Sequence, residues 1–360
     1  MKMTQRRKPL LIIASLAIAL ASCTKDPVSS PSQPIDIGFS SGIYMINEGN
    51  FGAGNASIDF YSKDSNKLYR NIFQSVNNRP LGDVAQSMCI VGEKGLIVMN
   101  GSARVEVIDA KTAVSLGTIN GLSSPRYMVA RNNSIAYLTD WVSNSVKVID
   151  ASQNAITNSI SVGKGPEGLT ISGDKLFVCN SGGYGLDSTV TVINLNGQTI
   201  AGTITVGDAP VAACTDKNGK VWVLCRGDWG DYNNPNDDTK PKLVRINPNN
   251  LSIEFELEIG VIGDHPDKMK INKDGDALYY LGSYNFNSGL FKFNISDVSA
   301  PTSVFISGYY YGFGYDKVLD QLYLANPKDF NQAGVMYKYS SSGNLLDSLN
   351  VGFIPNGTND

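Results

Sequence analysis

Between residues 168 and 206 apolar and polar positions alternate in short runs separated by turn residues. The runs are Gly168 to Ser172, Lys175 to Cys179, Thr189 to Asn194 and Thr199 to Val206, divided by a Gly173-Asp174 turn, a loop from Asn180 to Asp187 and an Asn196-Gly197 turn. Period-two alternation predicts half-buried strands, and Gly-Asp or Asn-Gly between two runs predicts a tight hairpin. The same unit returns along the chain. Pro80, Pro125, Pro166, Pro210 and Pro266 are separated by 45, 41, 44 and 56 residues, and Pro355 lies 89 beyond Pro266. Second strands are expected at Ile43 to Asn47, Leu96 to Asn100, Ile135 to Thr139, Val221 to Cys225, Ala277 to Leu281 and Gln321 to Ala325. Seven such units over residues 38–360 predict an all-β, seven-bladed β-propeller of four-stranded antiparallel blades.

The last residues, Val351 to Gly357, repeat Val162 to Gly168 and then stop. They are expected to supply the inner strand of the first blade, with Pro34-Ile35-Asp36-Ile37 as the competing donor.

The amino terminus carries a different pattern. Lys2, Arg6, Arg7 and Lys8 precede an apolar run from Leu10 to Ala21, the layout of a secretory signal over residues 1–22 and too short for a bilayer span. The run ends at Leu20-Ala21-Ser22-Cys23, which resembles a bacterial lipobox and implies lipidation of Cys23. Residues 23–37, rich in Pro and Ser, are expected to form a flexible tether, and Lys25-Asp26 resembles a signal for display on the outer membrane surface. Removing residues 1–22 turns 30 basic and 33 acidic side chains into 26 and 33, a formal charge of −7. Such a balance argues against nucleic acid as a partner. Cys89, Cys179, Cys214 and Cys225 show no CxxC spacing. Counting from the Asn218-Gly219 turn puts Cys214 opposite Val223 and Cys225 opposite Ala212, so buried free thiols are expected rather than a bridge.

Tyr137-Leu138-Thr139-Asp140, Ser143 to Asp150 and Val162-Gly163-Lys164-Gly165-Pro166 resemble the YVTN class of propeller repeats, departing at two of the first four positions. Asn47-Glu48-Gly49-Asn50-Phe51-Gly52 resembles the opening of the DUF5074 family of exported propeller lipoproteins. That group is similar to BtuG-type surface lipoproteins, which capture cobalamin for a TonB-dependent outer-membrane transporter. The resemblance implies a corrinoid ligand and such a transporter as partner; fold alone does not.

In a propeller, the loops between second and third strands and the crossovers between blades meet on one face. The candidate ligand-binding residues there are Glu48, Asn50, Phe51, Tyr127, Trp141, Tyr184, Arg226, Trp229, Tyr284, Phe286, Tyr310 and Phe330. Aromatics interleaved with amides suit a large, flat, amphipathic ligand: a corrin, an oligosaccharide or an extended peptide. The insertion Gly230 to Asp238 fails the EF-hand pattern and reads as a solvated loop. One histidine, His265, excludes His-cluster metal sites, and no Gly-x-Ser-x-Gly or phosphate loop occurs, so neither a metal nor a catalytic centre is expected. A propeller lactonase or other hydrolase would need carboxylates such as Glu48, Asp140, Asp187 and Asp228 to converge. The expected protein is a lipid-anchored, surface-exposed outer-membrane binding protein without enzymatic activity, a protein- or glycan-binding platform being the alternative.

Overall fold

The computed structural model describes residues 41–230, 237–282 and 289–359. The expectations for the leader, Cys23, the tether, Tyr284 and Phe286 lie outside the described residues. Seven antiparallel sheets follow one another, numbered here as blades 1 to 7 in chain order. Their inner strands are Pro355–Thr358 for blade 1, then Ala85–Val91, Pro125–Ala130, Pro166–Ser172, Pro210–Thr215, Asp267–Ile271 and Gly312–Asp316. Among the described residues six sheets have four strands and blade 6 has three, with an isolated bridge from Leu290 to Ile306 at its outer position.

The second strands explain the sequence pattern. In Val221–Cys225 and Ala277–Leu281 every residue is buried, because each face of the sheet packs on a neighbouring blade. Successive side chains point to opposite faces, so Trp222 and Leu224 join Met269 and Leu278 of blade 6. Val221, Val223 and Cys225 join Phe177 and Cys179 of blade 4 instead. Trp222 is the largest fully buried side chain; its Nε1 donates to Asp216 Oδ2 at 2.9 Å, which satisfies its one polar atom.

The carboxyl-terminal strand closes the ring. Pro355–Thr358 pairs with Gly42–Asn47, placing Met45 opposite Thr358 and Ile46 opposite Gly357. Asn359 Oδ1 accepts the Tyr44 amide at 2.8 Å beyond the strand end. The strand is also wedged against blade 7, where a Cβ at Gly312 would collide with the Asn356 backbone.

Two expectations are corrected. Cys214 faces Trp222, one position from the register counted from the sequence, and Cys225 faces Pro210, two positions from it because the ladder skips Val211. The connection is a five-residue loop between the paired Thr215 and Val221, held by Asp216 Oδ1, which accepts the Asn218 and Lys220 amides. The four cysteines from Cys89 onward are free and buried. Pro80 is not the counterpart of the strand-opening prolines: the inner strand of blade 2 starts at Ala85. A short helix, Ile72–Asn77, fills the preceding crossover and buries Ile72 and Phe73.

Candidate functional site

The inner strands share a device that builds the mouth of the central channel. In blades 1 to 6 the pairing of inner and second strands skips near its start, at Asn356, Gln86, Arg126-Tyr127, Glu167-Gly168, Val211 and Lys268 respectively. A β-bulge leaves the extra residue unpaired and re-aims its side chain. Gln86, Arg126, Tyr127 and Lys268 accordingly line a mouth cavity of about 360 Å³ with Glu48, Phe51, Asn100, Arg226, Asp267, Tyr311 and Phe330. Gln86, Tyr127, Asp267 and Lys268 also line the channel cavity below, about 450 Å³, and so stand between the two. Val84 and Ile354 in the cavity wall adopt φ of 50° and 51°. Left-handed backbone at a β-branched residue is strained, and such strain gathers at functional sites.

The cavity is polar and internally paired. Arg126 Nε and Nη2 donate to Glu167, the latter at 2.7 Å, while Nη1 reaches Gln86 Oε1 at 2.5 Å. Its guanidinium also lies 4.2 Å from the Trp141 ring centroid. Burial opposes the Arg126 charge, but the Glu167 carboxylate outweighs it and raises the pKa. Glu48 Oε2 accepts from the Tyr311 hydroxyl at 2.7 Å. Burial pushes the Glu48 carboxyl above its ordinary range, against the opposing pulls of Lys268, the Tyr311 hydrogen bond and Arg126. Burial likewise pulls the Lys268 ammonium down, although Asp267 and Glu48 favour its charge. Lys268 Nζ donates to Asn356 Oδ1 and sits 5.3 Å from the Tyr311 ring centroid. Arg226 Nη1 is 4.0 Å from Asp267, and its buried Nε has no partner among the described residues.

Around this mouth stand exposed aromatics. Phe51 is 86% and Tyr184 94% exposed; Tyr184 meets Trp141 edge-on with centroids 5.8 Å apart. Trp229, 39% exposed, stacks on His265 at 3.9 Å. His265 is itself buried, with Nδ1 3.2 Å from the Arg226 carbonyl and Nε2 3.1 Å from Asp238.

Of the candidates named from sequence, Glu48, Phe51, Tyr127, Arg226 and Phe330 line the cavity. Asn50 braces it by donating from Nδ2 to the Phe330 carbonyl at 2.7 Å. Trp141, Tyr184 and Trp229 stand outside the cavity lining. Tyr310 does not face the mouth: it is buried between blades, its hydroxyl on the Ser307 carbonyl and 2.9 Å from Tyr339 Oη. Tyr311 takes the place expected of it. Asp140 and Asp187 are committed to loop backbone and hydroxyls, Asp140 to the Ser123 and Ser124 amides and Asp187 to the Lys164 amide and Thr189. Of the four carboxylates a hydrolase would gather, Glu48 alone lines the cavity. Gln86, Glu167 and Asn356 were missed; each is the bulged residue of its strand, directly behind the strand-opening Pro166 and Pro355 in the latter two.

One family model matches the ring from residue 41 up to, but not including, its closing strand Pro355–Thr358. The chain belongs to the DUF5074 family. The model, a domain of unknown function, covers residues 41–353. No curated protein matches the chain. Among solved structures, the chain is similar to a functionally unknown protein of Desulfotomaculum acetoxidans, at 12% identity and TM-score 0.66, covering 88% of this chain and 98% of that one. A quinonprotein alcohol dehydrogenase-like protein of Bacteroides thetaiotaomicron gives 14% and 0.63 over 89% and 78%. A Bacteroides fragilis protein described as a provisional 6-phosphogluconolactonase gives 13% and 0.62 over 89% and 98%. At these identities the likeness is one of fold.

Proposed function

We propose that this DUF5074 chain is a non-catalytic binding protein whose rim takes a corrinoid such as cobalamin and hands it to a TonB-dependent outer-membrane transporter. In this reading Cys23 carries the lipid that holds the propeller at the outer membrane, on the cell surface. The observation that carries it is the set of exposed rings, Phe51, Tyr184 and Trp229, around a polar mouth cavity. Apolar side chains exposed together at a concave opening mark a binding surface, since monomers otherwise keep such patches small. A corrin ring is too large for the cavity, so its flat face lies on the aromatics and one peripheral arm enters the mouth. The two carboxylates of the lining are engaged within the wall, Glu48 by the Tyr311 hydroxyl and Asp267 by Arg226 at 4.0 Å, which favours binding over hydrolysis. Release requires the transporter to compete for the same face.

Calorimetric titration of residues 34–360 with cyanocobalamin tests the reading. One-site binding with co-elution of the red ligand supports it. No heat and no co-elution at micromolar concentration would overturn the corrinoid assignment and turn the search to glycans and neighbouring membrane proteins.

A further inference from the structure

The mouth cavity has a charge balance that narrows what can enter it. Its lining holds Arg126, Arg226 and Lys268 against Glu48 and Asp267, and the Arg126 charge is spent on Glu167 behind the wall. Two cations then face two carboxylates, so the lining carries no net charge to attract an ion. A carboxylate arriving near Glu48 and Asp267, or an ammonium near Arg226 and Lys268, meets like charge in a desolvated site.

The hydrogen-bond inventory points the same way. On the donor side, among the described residues, Arg226 Nε is buried and unpaired, and Lys268 Nζ has one side-chain acceptor, Asn356, for its three N–H groups. On the acceptor side, Glu48 receives one hydrogen bond among the described residues, from Tyr311. Asn100 directs Nδ2 to Ser124 Oγ and the Pro125 carbonyl, both at 3.0 Å, which fixes its amide and leaves Oδ1 as an unspent acceptor. The residues that carry these donors and acceptors, Arg226, Lys268, Glu48 and Asn100, line one cavity. A group that is uncharged and carries both a carbonyl oxygen and an N–H satisfies both sets.

We propose that the mouth cavity is a carboxamide subsite: Arg226 and Lys268 take the amide oxygen, Glu48 and Asn100 the amide N–H. The proposal deepens the binding function argued above and relies on it for the direction from which the arm enters. Discrimination against the corresponding acid follows, because a site built for paired hydrogen bonds rejects a group that leaves them unmade.

The test compares cyanocobalamin with derivatives in which one peripheral amide has been hydrolysed to the carboxylate. One acid is expected to bind about tenfold to a hundredfold more weakly than the amide. Arg226→Gln should shrink that gap, with circular dichroism and melting used to verify its fold. Equal affinities for all the acids and the amide would overturn the subsite while leaving corrinoid capture intact. If cyanocobalamin itself does not bind, the capture reading fails and the subsite is judged separately, on the unmodified chain, with nicotinamide and nicotinate. Saturable perturbation of the Arg226 Nε–H resonance by nicotinamide alone supports the subsite; a response to nicotinate first, or to neither, overturns it.

Discussion

At the scale of the residue, the mouth cavity stores charge in a place that disfavours it. Glu48 binds a proton more tightly in the folded chain than in the unfolded one, because burial raises its pKa from the ordinary 4.5. The unfolded chain therefore holds fewer protons than the folded one just above that value, and this group's contribution to stability falls as pH rises through the window. Glu48→Gln keeps an acceptor for Tyr311 and removes the charge. Its melting temperature relative to the parent should move upward as pH rises from about 4.5 toward neutrality; a difference independent of pH would refute the assignment. The Arg126–Glu167 pair, 17% and 8% exposed, is an ion pair held away from water. Arg126→Met leaves Glu167 buried without its cation and should cost about 3–5 kcal/mol in denaturant unfolding, whereas the double change to Met at both positions should cost less. Additive losses would count against a buried, coupled pair.

At the scale of the element, the inner strand is the unit that turns sequence into site. Its bulge lifts one residue out of the ladder and turns it toward the channel, and the strain of that geometry is carried by Val84 and Ile354. Left-handed backbone costs a side-chain-bearing residue about 1–2 kcal/mol, and glycine's extra unfolded freedom returns about half of that. Val84→Gly should therefore leave the chain equally stable or up to about 1 kcal/mol more stable, read from the urea midpoint at constant slope. A loss of stability would mean that the Val84 side chain matters more than its backbone.

The inner strand also marks the boundary of what the sequence disclosed. Period-two alternation located Thr189–Asn194 to the residue, and continuous apolar runs located Val221–Cys225 and Ala277–Leu281, because strands buried on both faces lose their polar positions. Parity was unreadable where neighbours are chemically alike: in Tyr309-Tyr310-Tyr311 nothing but the ladder tells which ring enters the core and which meets Glu48. Gln86, Glu167 and Asn356 escaped notice because a bulge reverses the parity that alternation relies on. The rim aromatics were legible as loop residues, while the ion-pair network beneath them joins blades far apart in sequence, such as Arg126 and Glu167, 41 residues apart.

At the scale of the whole molecule, the ring is closed by a strand of four residues, Pro355–Thr358. Pro355–Thr358 pairs with blade 1, and its Asn356 donates from Nδ2 to the Gln86 carbonyl of blade 2 at 2.7 Å and accepts from Lys268 of blade 6 through Oδ1. One short strand thus ties first, second and sixth blades to the mouth cavity, and closure of the ring and completion of the site are a single event. A chain ending at Phe353 would expose the inner edge of Gly42–Asn47, whose five residues Ile43–Asn47 are buried, and leave Glu48 without the Ile354 carbonyl that accepts its amide at 2.9 Å. An unpaired, apolar strand edge is a template for association. The truncated chain should melt well below the parent and self-associate on a sizing column, whereas Asn356→Ala, which keeps the ladder, should stay monomeric with a loss of about 1–3 kcal/mol from the buried groups it orphans. If truncation instead left a monomer with the parent's melting temperature, the ring would be held by its inter-blade cores alone, and the closing strand would have to be reassigned to shaping the mouth.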